Sequence, residues 1–265
     1  GRPYGIEVYG YDPKDPHSLE KLKHPDGYDL AIVPGDNRYS WLAYAAGARH
    51  IVAFAGDRPA YKSWPVDTLI EYPNYPMAWA DMVATLVPGE APLPYSTSEW
   101  PTPSASAFKL PNQRYVILHL GASSKLKLWP AEKWQALIKQ IEERDLLPIW
   151  SAGKNEIGLV TEVDPQHKYP SYAGQLDLAQ MWTLLAGADA LICPDTGIAH
   201  LARIVGTPTV ALFGPGSAQL CGKGRFWNNS RFEAVTLADV PCRDQKILFK
   251  REISWVQRCG RSNKE

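Results

Sequence analysis

Ala190-Leu-Ile-Cys-Pro-Asp-Thr-Gly-Ile-Ala-His200 is a strand that stops and turns at once into a helix. The apolar run ends at Pro194, and Asp195 and Thr196 stand where a helix N-cap belongs. Gly197 permits close backbone approach. The first amides of a helix lack intrahelical partners and carry partial positive charge. Such a terminus suits a diphosphate. His200 follows Thr196 by four residues and shares its side of the first turn. An ordinary capped helix with a packed histidine fits the same text.

Working outward, the second half alternates strand and helix. Tyr115 to Leu120 is a continuous apolar run, as in a buried parallel strand. Pro130 opens a helix with Trp134, Leu137, Ile138 and Ile141 on one face. Leu147 to Ala152 reads as the next strand, and Asp177 caps a helix carrying Leu178, Met181, Trp182 and Leu185. A helix from Gly197 to Val205 stops at Gly206, and Thr209 to Phe213 and Phe232 to Thr236 are further strands. The alternation predicts an α/β fold with a doubly wound sheet, whose ligands gather at the carboxyl ends of the strands.

The first half is similar but sparser. Ile6 to Tyr9, Leu30 to Val33 and His50 to Phe54 read as strands. Tyr39 to Ala46 reads as a helix, and Trp79, Met82, Val83 and Leu86 form a helical stripe. These are too few strands for a full Rossmann domain. A stretch rich in Pro and Ser follows. The expected division is 1–95 for the first domain, 96–113 for a linker and 114–265 for the second. Because the chain opens on Gly rather than Met, directly in strand-like text, a natural N-terminal segment is expected to be missing.

Composition narrows the chemistry. The balance is the one expected of a soluble globular protein; no signal peptide is expected, and no apolar run in the given sequence is long enough for a bilayer. Net charge is zero, but residues 1–110 hold 9 Lys/Arg against 13 Asp/Glu, and residues 111–265 hold 19 against 15. A mildly basic second half suits a small phosphorylated ligand and is too weak for nucleic acid. The four Cys show no C-x-x-C spacing, which argues against zinc and for reduced cytosolic thiols. The ten Trp fit either packing or stacking on sugar rings.

Two further loops follow strands. His119-Leu-Gly-Ala-Ser-Ser-Lys-Leu-Lys-Leu-Trp-Pro130 offers backbone amides, the hydroxyls of Ser123 and Ser124, and the ammonium groups of Lys125 and Lys127. These are the groups that bind phosphate oxygens. The spacing is neither a P-loop nor G-x-G-x-x-G, and a solvated basic loop fits it too. Ser151-Ala-Gly-Lys-Asn-Glu156 places a carboxylate that could accept from ribose hydroxyls, or simply begin a helix. The chain shows no D-x-D with an obvious metal role, no H-E-x-x-H and no G-x-S-x-G. A metal-dependent transferase or a hydrolase is correspondingly disfavoured.

At these residues the sequence resembles the bacterial heptosyltransferases, the ADP-heptose:lipopolysaccharide glycosyltransferases of glycosyltransferase family 9. The matching text is His119-Leu-Gly-Ala-Ser-Ser124, Lys127-Leu-Trp-Pro130 with Trp134, Tyr172-Ala-Gly-Gln-Leu176, Pro194 to His200, and Gly206 to Pro215. The first half matches chiefly through Tyr28 to Val33 and Gly47-Ala-Arg49. The resemblance implies a GT-B fold: two Rossmann-like domains, the N-terminal one incomplete here, with the donor held mainly by the C-terminal one. It implies inverting, metal-independent sugar transfer from an ADP-sugar to a glycan or glycolipid acceptor such as lipopolysaccharide core. No cofactor is implied, and the setting would be cytoplasmic, with at most peripheral contact at the inner face of the inner membrane. Carried onto this chain, Ser123, Lys127, Thr196 and Gly197 would hold the diphosphate. Asp195 and His200 would meet the donor sugar or its phosphate. Glu156 would contact the ribose, and Leu176 the adenine. The family's catalytic Asp sits in a Gly-Asp turn after the first N-terminal strand. Gly35-Asp36 follows a later strand and matches a different family position, so no general base is assigned. Its lack leaves open a module that binds a nucleotide sugar without transferring it. An epimerase of the same architecture is a third reading.

Overall fold

The computed structural model describes residues 5–236 apart from 74, 76 and 215; Pro215, Cys242 and Cys259 lie outside the described residues. The chain divides after Pro92 into two compact units.

The first unit contains α1 (His17–Glu20), β1 (Ala31–Val33), α2 (Tyr39–Ala45), β2 (Ile51–Phe54), β3 (Thr68–Ile70) and α3 (Trp79–Ala84). Its sheet has the order β1-β2-β3, all parallel. Strand β2 is apolar throughout and wholly buried, as a central parallel strand should be. The expected strand at Ile6 to Tyr9 is absent. That segment joins no sheet, and Val8 is 80% exposed, so apolar composition alone does not make a strand without a partner edge. Strand β3 went unread because three half-exposed residues carry no period. It is anchored by Asp67, whose carboxylate accepts from the Ile51 amide at 2.8 Å. Asn37, fully buried, ties the turn after β1 to its neighbours, donating to the Phe54 carbonyl at 2.8 Å and to Ser63 Oγ at 2.9 Å.

The second unit contains β4 (Tyr115–His119), α4 (Ala131–Glu142), β5 (Leu147–Ser151), α5 (Ile157–Val163), α6 (Leu178–Ala186), β6 (Ala190–Pro194), α7 (Gly197–Val205), β7 (Thr209–Phe213), α8 (Ala218–Cys221) and β8 (Phe232–Thr236). The sheet order is β5-β4-β6-β7-β8, and every pairing is parallel. Alternation along β4 shows why the sheet must be covered twice. Ile117 packs with Leu184, Leu185, Ala199 and Ala202 of α6 and α7. Its neighbours Val116 and Leu118 pack on the opposite face with Trp134, Ile138, Ile141, Val160 and Val163 of α4 and α5. Trp134 and Trp150 are fully buried and Trp182 nearly so, which assigns these tryptophans to packing.

Caps sit where the sequence places them. Asp177 accepts from the Gln180 amide at 2.8 Å, and Gln180 accepts in return from the Asp177 amide at 3.0 Å. Pro130 stands one position earlier than expected, as the N-cap of α4. The stretch read as a linker lies against the second unit. Tyr172 Oη donates to the Lys109 carbonyl at 2.8 Å, Gln180 to the Ser106 carbonyl at 3.3 Å, and Phe108 meets Tyr172 edge-on. Just before it, Tyr95 Oη donates to the Ile204 carbonyl at 3.0 Å.

Gly206 ends α7 in the left-handed region at φ 90°, and its amide donates to the Ala202 carbonyl at 2.8 Å. A methyl group there would lie 2.7 Å from Thr97 Cγ2. Gly206→Ala is therefore expected to lose about 1–2 kcal/mol of stability through backbone strain and this contact. Urea denaturation checks it, and an unchanged midpoint would contradict it.

Candidate functional site

Strand order fixes the place of the site before any side chain is considered. From β4 the chain winds outward to β5, then returns across the sheet to β6 and winds the other way. The loops after β4 and β6 thus part at the boundary between these neighbouring strands. This is the topological switch point of a doubly wound sheet, where the crevice for a ligand forms.

The two loops meet there. After β4 the chain passes Gly121 and makes a short 3-10 turn, Lys125–Lys127, capped by Ser124 Oγ. That turn sends the Lys127 side chain across to the β6–α7 corner. Lys127 Nζ donates to Asp195 Oδ2 at 2.7 Å and to the Asp195 carbonyl at 3.2 Å. The pair is largely shielded, with side chains 19% and 10% exposed. Asp195 is pinned from behind, its amide donating to the Leu212 carbonyl at 3.1 Å. Gly216 closes against its carboxylate, where a methyl group would come within 2.4 Å of Oδ2.

Thr196 is the N-cap residue of α7, but its hydroxyl makes no capping hydrogen bond. The opening amides of α7 are therefore not satisfied by the side chain that usually takes them. His200 sits in the first turn of α7 with an exposed edge. Surrounding protein and then the Arg203 guanidinium push its pKa below the ordinary value, which favours a neutral imidazole at pH 7.

Glu156 approaches from the loop after β5. Its Oε2 accepts from the Gly153 amide at 2.9 Å, and the carboxylate lies flat against Gly121. A methyl group at Gly121 would stand 1.9 Å from Oε2, so glycine is the residue that lets this carboxylate sit over the loop after β4. Leu176 is half-buried and packs against the α6–α7 side of the sheet. It ends a segment that runs beside β5, with the Gly174 amide donating to the Ala152 carbonyl at 2.9 Å. Ser123 stands exposed on the same loop as Lys127. Lys127 and Asp195 are thus in direct contact, and Glu156, from the loop after β5, lies against Gly121 of the loop that carries Lys127, whereas Ser123 is exposed on that loop and Leu176 packs against the α6–α7 side of the sheet.

Sequence reasoning missed two features. His119, 5% exposed, shares a hydrogen bond of 3.0 Å with Ser151 Oγ, and burial holds its pKa down at about 4. It is a neutral strut joining the ends of β4 and β5. Cys221, at the end of α8, brings its thiol into a group with Asp195 and His200 whose ligand atoms all lie within 4.8 Å of one another. Cysteine spacing could not show this, because the other two ligands are not cysteines. Asp36, on the first unit, is held by Arg38 at 3.0 Å and Lys62 at 3.5 Å. Burial opposes its ionisation, but these cations and the Arg38 amide keep its carboxyl below the usual range. A half-open hollow of about 500 Å³ lies beside the loop after β4, lined by Lys125, Trp129, Glu132, Trp134 and Glu162 among others. It contains none of the expected donor residues.

The two units carry the parallel α/β architecture of GT-B glycosyltransferases. The chain superposes with TM-score 0.62 on E. coli ADP-heptose lps heptosyltransferase II, at 19% identity, over 84% of this chain and 72% of that one. With an E. coli heptosyltransferase solved with ADP the TM-score is 0.63 at 18% identity, over 83% and 70%. The model of glycosyltransferase family 9 (heptosyltransferase) matches residues 18–249, and the chain belongs to that family. Lipopolysaccharide heptosyltransferase 1 of Pseudomonas aeruginosa is 29% identical over 236 residues, 84% of this chain and 63% of that protein. Lipopolysaccharide heptosyltransferase 3 of Escherichia coli is 28% identical over 141 residues, 51% of this chain and 41% of that protein. The chain thus spans less than two thirds of the length of either relative. Among the described residues no helix is long and apolar enough to cross a membrane.

Proposed function

We propose that this chain carries the donor-binding half of a glycosyltransferase that moves a heptose-like sugar from an ADP-sugar to a lipopolysaccharide-type glycan. The observation that carries the reading is the ammonium of Lys127 seated on Asp195 at the mouth of α7. A diphosphate laid across this corner would meet a cation and uncapped amides together. Ser123 would add a hydroxyl, Thr196 and Gly197 the backbone amides, and Asp195 and neutral His200 contacts to the donor sugar or its phosphate. Glu156 is set to accept from ribose hydroxyls, and the backbone at Leu176 to meet the adenine.

The reaction is an in-line displacement with inversion. An acceptor hydroxyl attacks the anomeric carbon, the bond to the diphosphate breaks, and a general base takes the hydroxyl proton. Lys127 and the α7 terminus stabilise the charge growing on the leaving diphosphate, and the step needs no metal ion. The expected partners are a nucleotide-sugar donor and a glycolipid acceptor, met from the cytoplasmic side through peripheral contact with the inner membrane.

The test is mass-spectrometric detection of heptose moved from ADP-heptose to a lipopolysaccharide core acceptor. Donor binding without transfer would reduce the reading to a nucleotide-sugar module. Product formed from donor alone would make it an epimerase. Gly121→Ala separates the carboxylate from the fold. The displaced group is the flexible end of Glu156 and the backbone at Gly121 is not left-handed, so stability should change by no more than about 1 kcal/mol. Affinity for ADP should fall roughly tenfold as the Glu156 pose is lost. Equal affinity in calorimetry would remove Glu156 from the donor site.

A further inference from the structure

Asp195, His200 and Cys221 come from three elements, the β6–α7 corner, the first turn of α7 and the end of α8. Oxygen, imidazole nitrogen and thiol sulfur are a ligand set that suits zinc and other thiophilic divalent cations. Ligand atoms around a tetrahedral zinc stand roughly 3.3–3.8 Å apart, given bonds of about 2.0–2.3 Å. The three atoms here lie within 4.8 Å of one another, so small rotamer changes would close the set. Its framework is already fixed. Arg203, one turn after His200 on α7, is 3% exposed and stacks over the Phe232 ring at 3.5 Å. Its guanidinium donates to the Cys221 carbonyl, and to the Gly222 carbonyl at 3.1 Å. The helix that bears the imidazole therefore clamps the turn that bears the thiol.

We infer that Asp195, His200 and Cys221 form a three-ligand site for Zn²⁺, and that its occupation shuts the donor corner. The Cys221 thiol gives up its proton to solvent as the sulfur ligates. Asp195 turns from the Lys127 ammonium to the metal, and the cation repels that ammonium from the corner. Zinc is thus an inhibitor at this site and takes no part in the transfer step. Metal binding itself stands apart from the proposed activity; only the competition with the donor rests on it.

Lys127 makes the inference separable, because its removal acts on the two ligands with opposite signs. Untagged protein is titrated with Zn²⁺ alone in a competition assay with a chromogenic chelator, and with Co²⁺ for its thiolate charge-transfer band. The wild type should bind one zinc, and the band should vanish in Cys221→Ser. Cys221→Ala should weaken zinc roughly 100-fold or more, since even outer-sphere partners of a metal site are worth 10- to 100-fold. Lys127→Ala should tighten zinc about tenfold while it weakens ADP. Zinc that binds equally to wild type and Cys221→Ala, or a cobalt complex without the band in the wild type, would overturn the site. Zinc bound as expected but without effect on ADP affinity would overturn the inhibition while leaving the metal site standing. Circular dichroism of the Cys221→Ser variant confirms that a lost signal is not a lost fold.

Discussion

Lys127→Ala should weaken ADP binding by about 10- to 100-fold, the largest effect expected of any single side chain at the site. A hydrogen bond to a charged group contributes about 1.5–3 kcal/mol. Lys127 is placed to give such a bond, because its side chain is 19% exposed and already spans from the β4 loop to the β6–α7 corner. The same change strips Asp195 of its cation. A shielded carboxylate without a partner is destabilising, and for this partly open pair about 1–3 kcal/mol of stability should go with it. The two effects part on ionic strength. In the wild type added salt should weaken ADP binding, and in the variant the dependence should be shallower. Calorimetry on the folded variant decides the matter, and an unchanged dissociation constant would remove Lys127 from the donor site.

The second large effect is on folding. Asp164 closes the C-terminal end of α5 and is 6% exposed. Its carboxylate accepts from the Trp150 indole at 3.0 Å, the Lys168 amide at 2.9 Å and the Tyr169 amide at 3.0 Å. Asp164→Ala would leave three shielded donors without an acceptor, and should cost about 3–5 kcal/mol. The carboxylate also sets a pH dependence. Burial opposes its charge, yet the two amides and the indole together hold its pKa below the usual value. A depressed folded value means stability is present above the unfolded pKa of about 3.9 and is lost as pH falls through the folded one. Wild-type stability should therefore drop below about pH 4, and Asp164→Asn should lack that part of the drop. Identical acid profiles for the two would show that the carboxylate contributes no such term.

Much of the second unit was legible because period and punctuation agreed there. Ile117 between Val116 and Leu118 reads as a two-faced buried strand, and the structure packs helices on both sides of it. Asp177 with Gln180, and Gly206 after Val205, mark helix ends by backbone requirements that leave few alternatives. The segment Ile6 to Tyr9 failed for the opposite reason. A strand is a property of a pair, and one segment's composition says nothing about whether an edge is available to it. Stretch 96–113 reads as a linker because Pro and Ser suppress periodicity, but its hydrogen bonds to the second unit run through backbone carbonyls that no side-chain pattern reveals.

The site divides in the same way. The meeting of Lys127 and Asp195 was foreseeable from two strand-to-helix loops on one sheet, given the switch-point rule. The wedge of Glu156 against Gly121 was half visible. The glycine could be read as close approach, but the approaching group was not encoded nearby. Cys221 was invisible, because nothing local ties a residue after the fourth strand of this sheet to a histidine one helix earlier. The clamp between them is Arg203, whose burial places its pKa at about 10 and whose partners are backbone carbonyls.

The central claim is that the corner between β4 and β6 holds a diphosphate through Lys127 and the first amides of α7. Amide chemical shifts during titration with ADP, and separately with adenosine, test it most directly. The account predicts that ADP moves the resonances of Lys127, Gly197 and Ile198 most, and that adenosine leaves them nearly still. Shifts gathered instead around Trp129 and Trp134, or the same pattern from adenosine as from ADP, would contradict it.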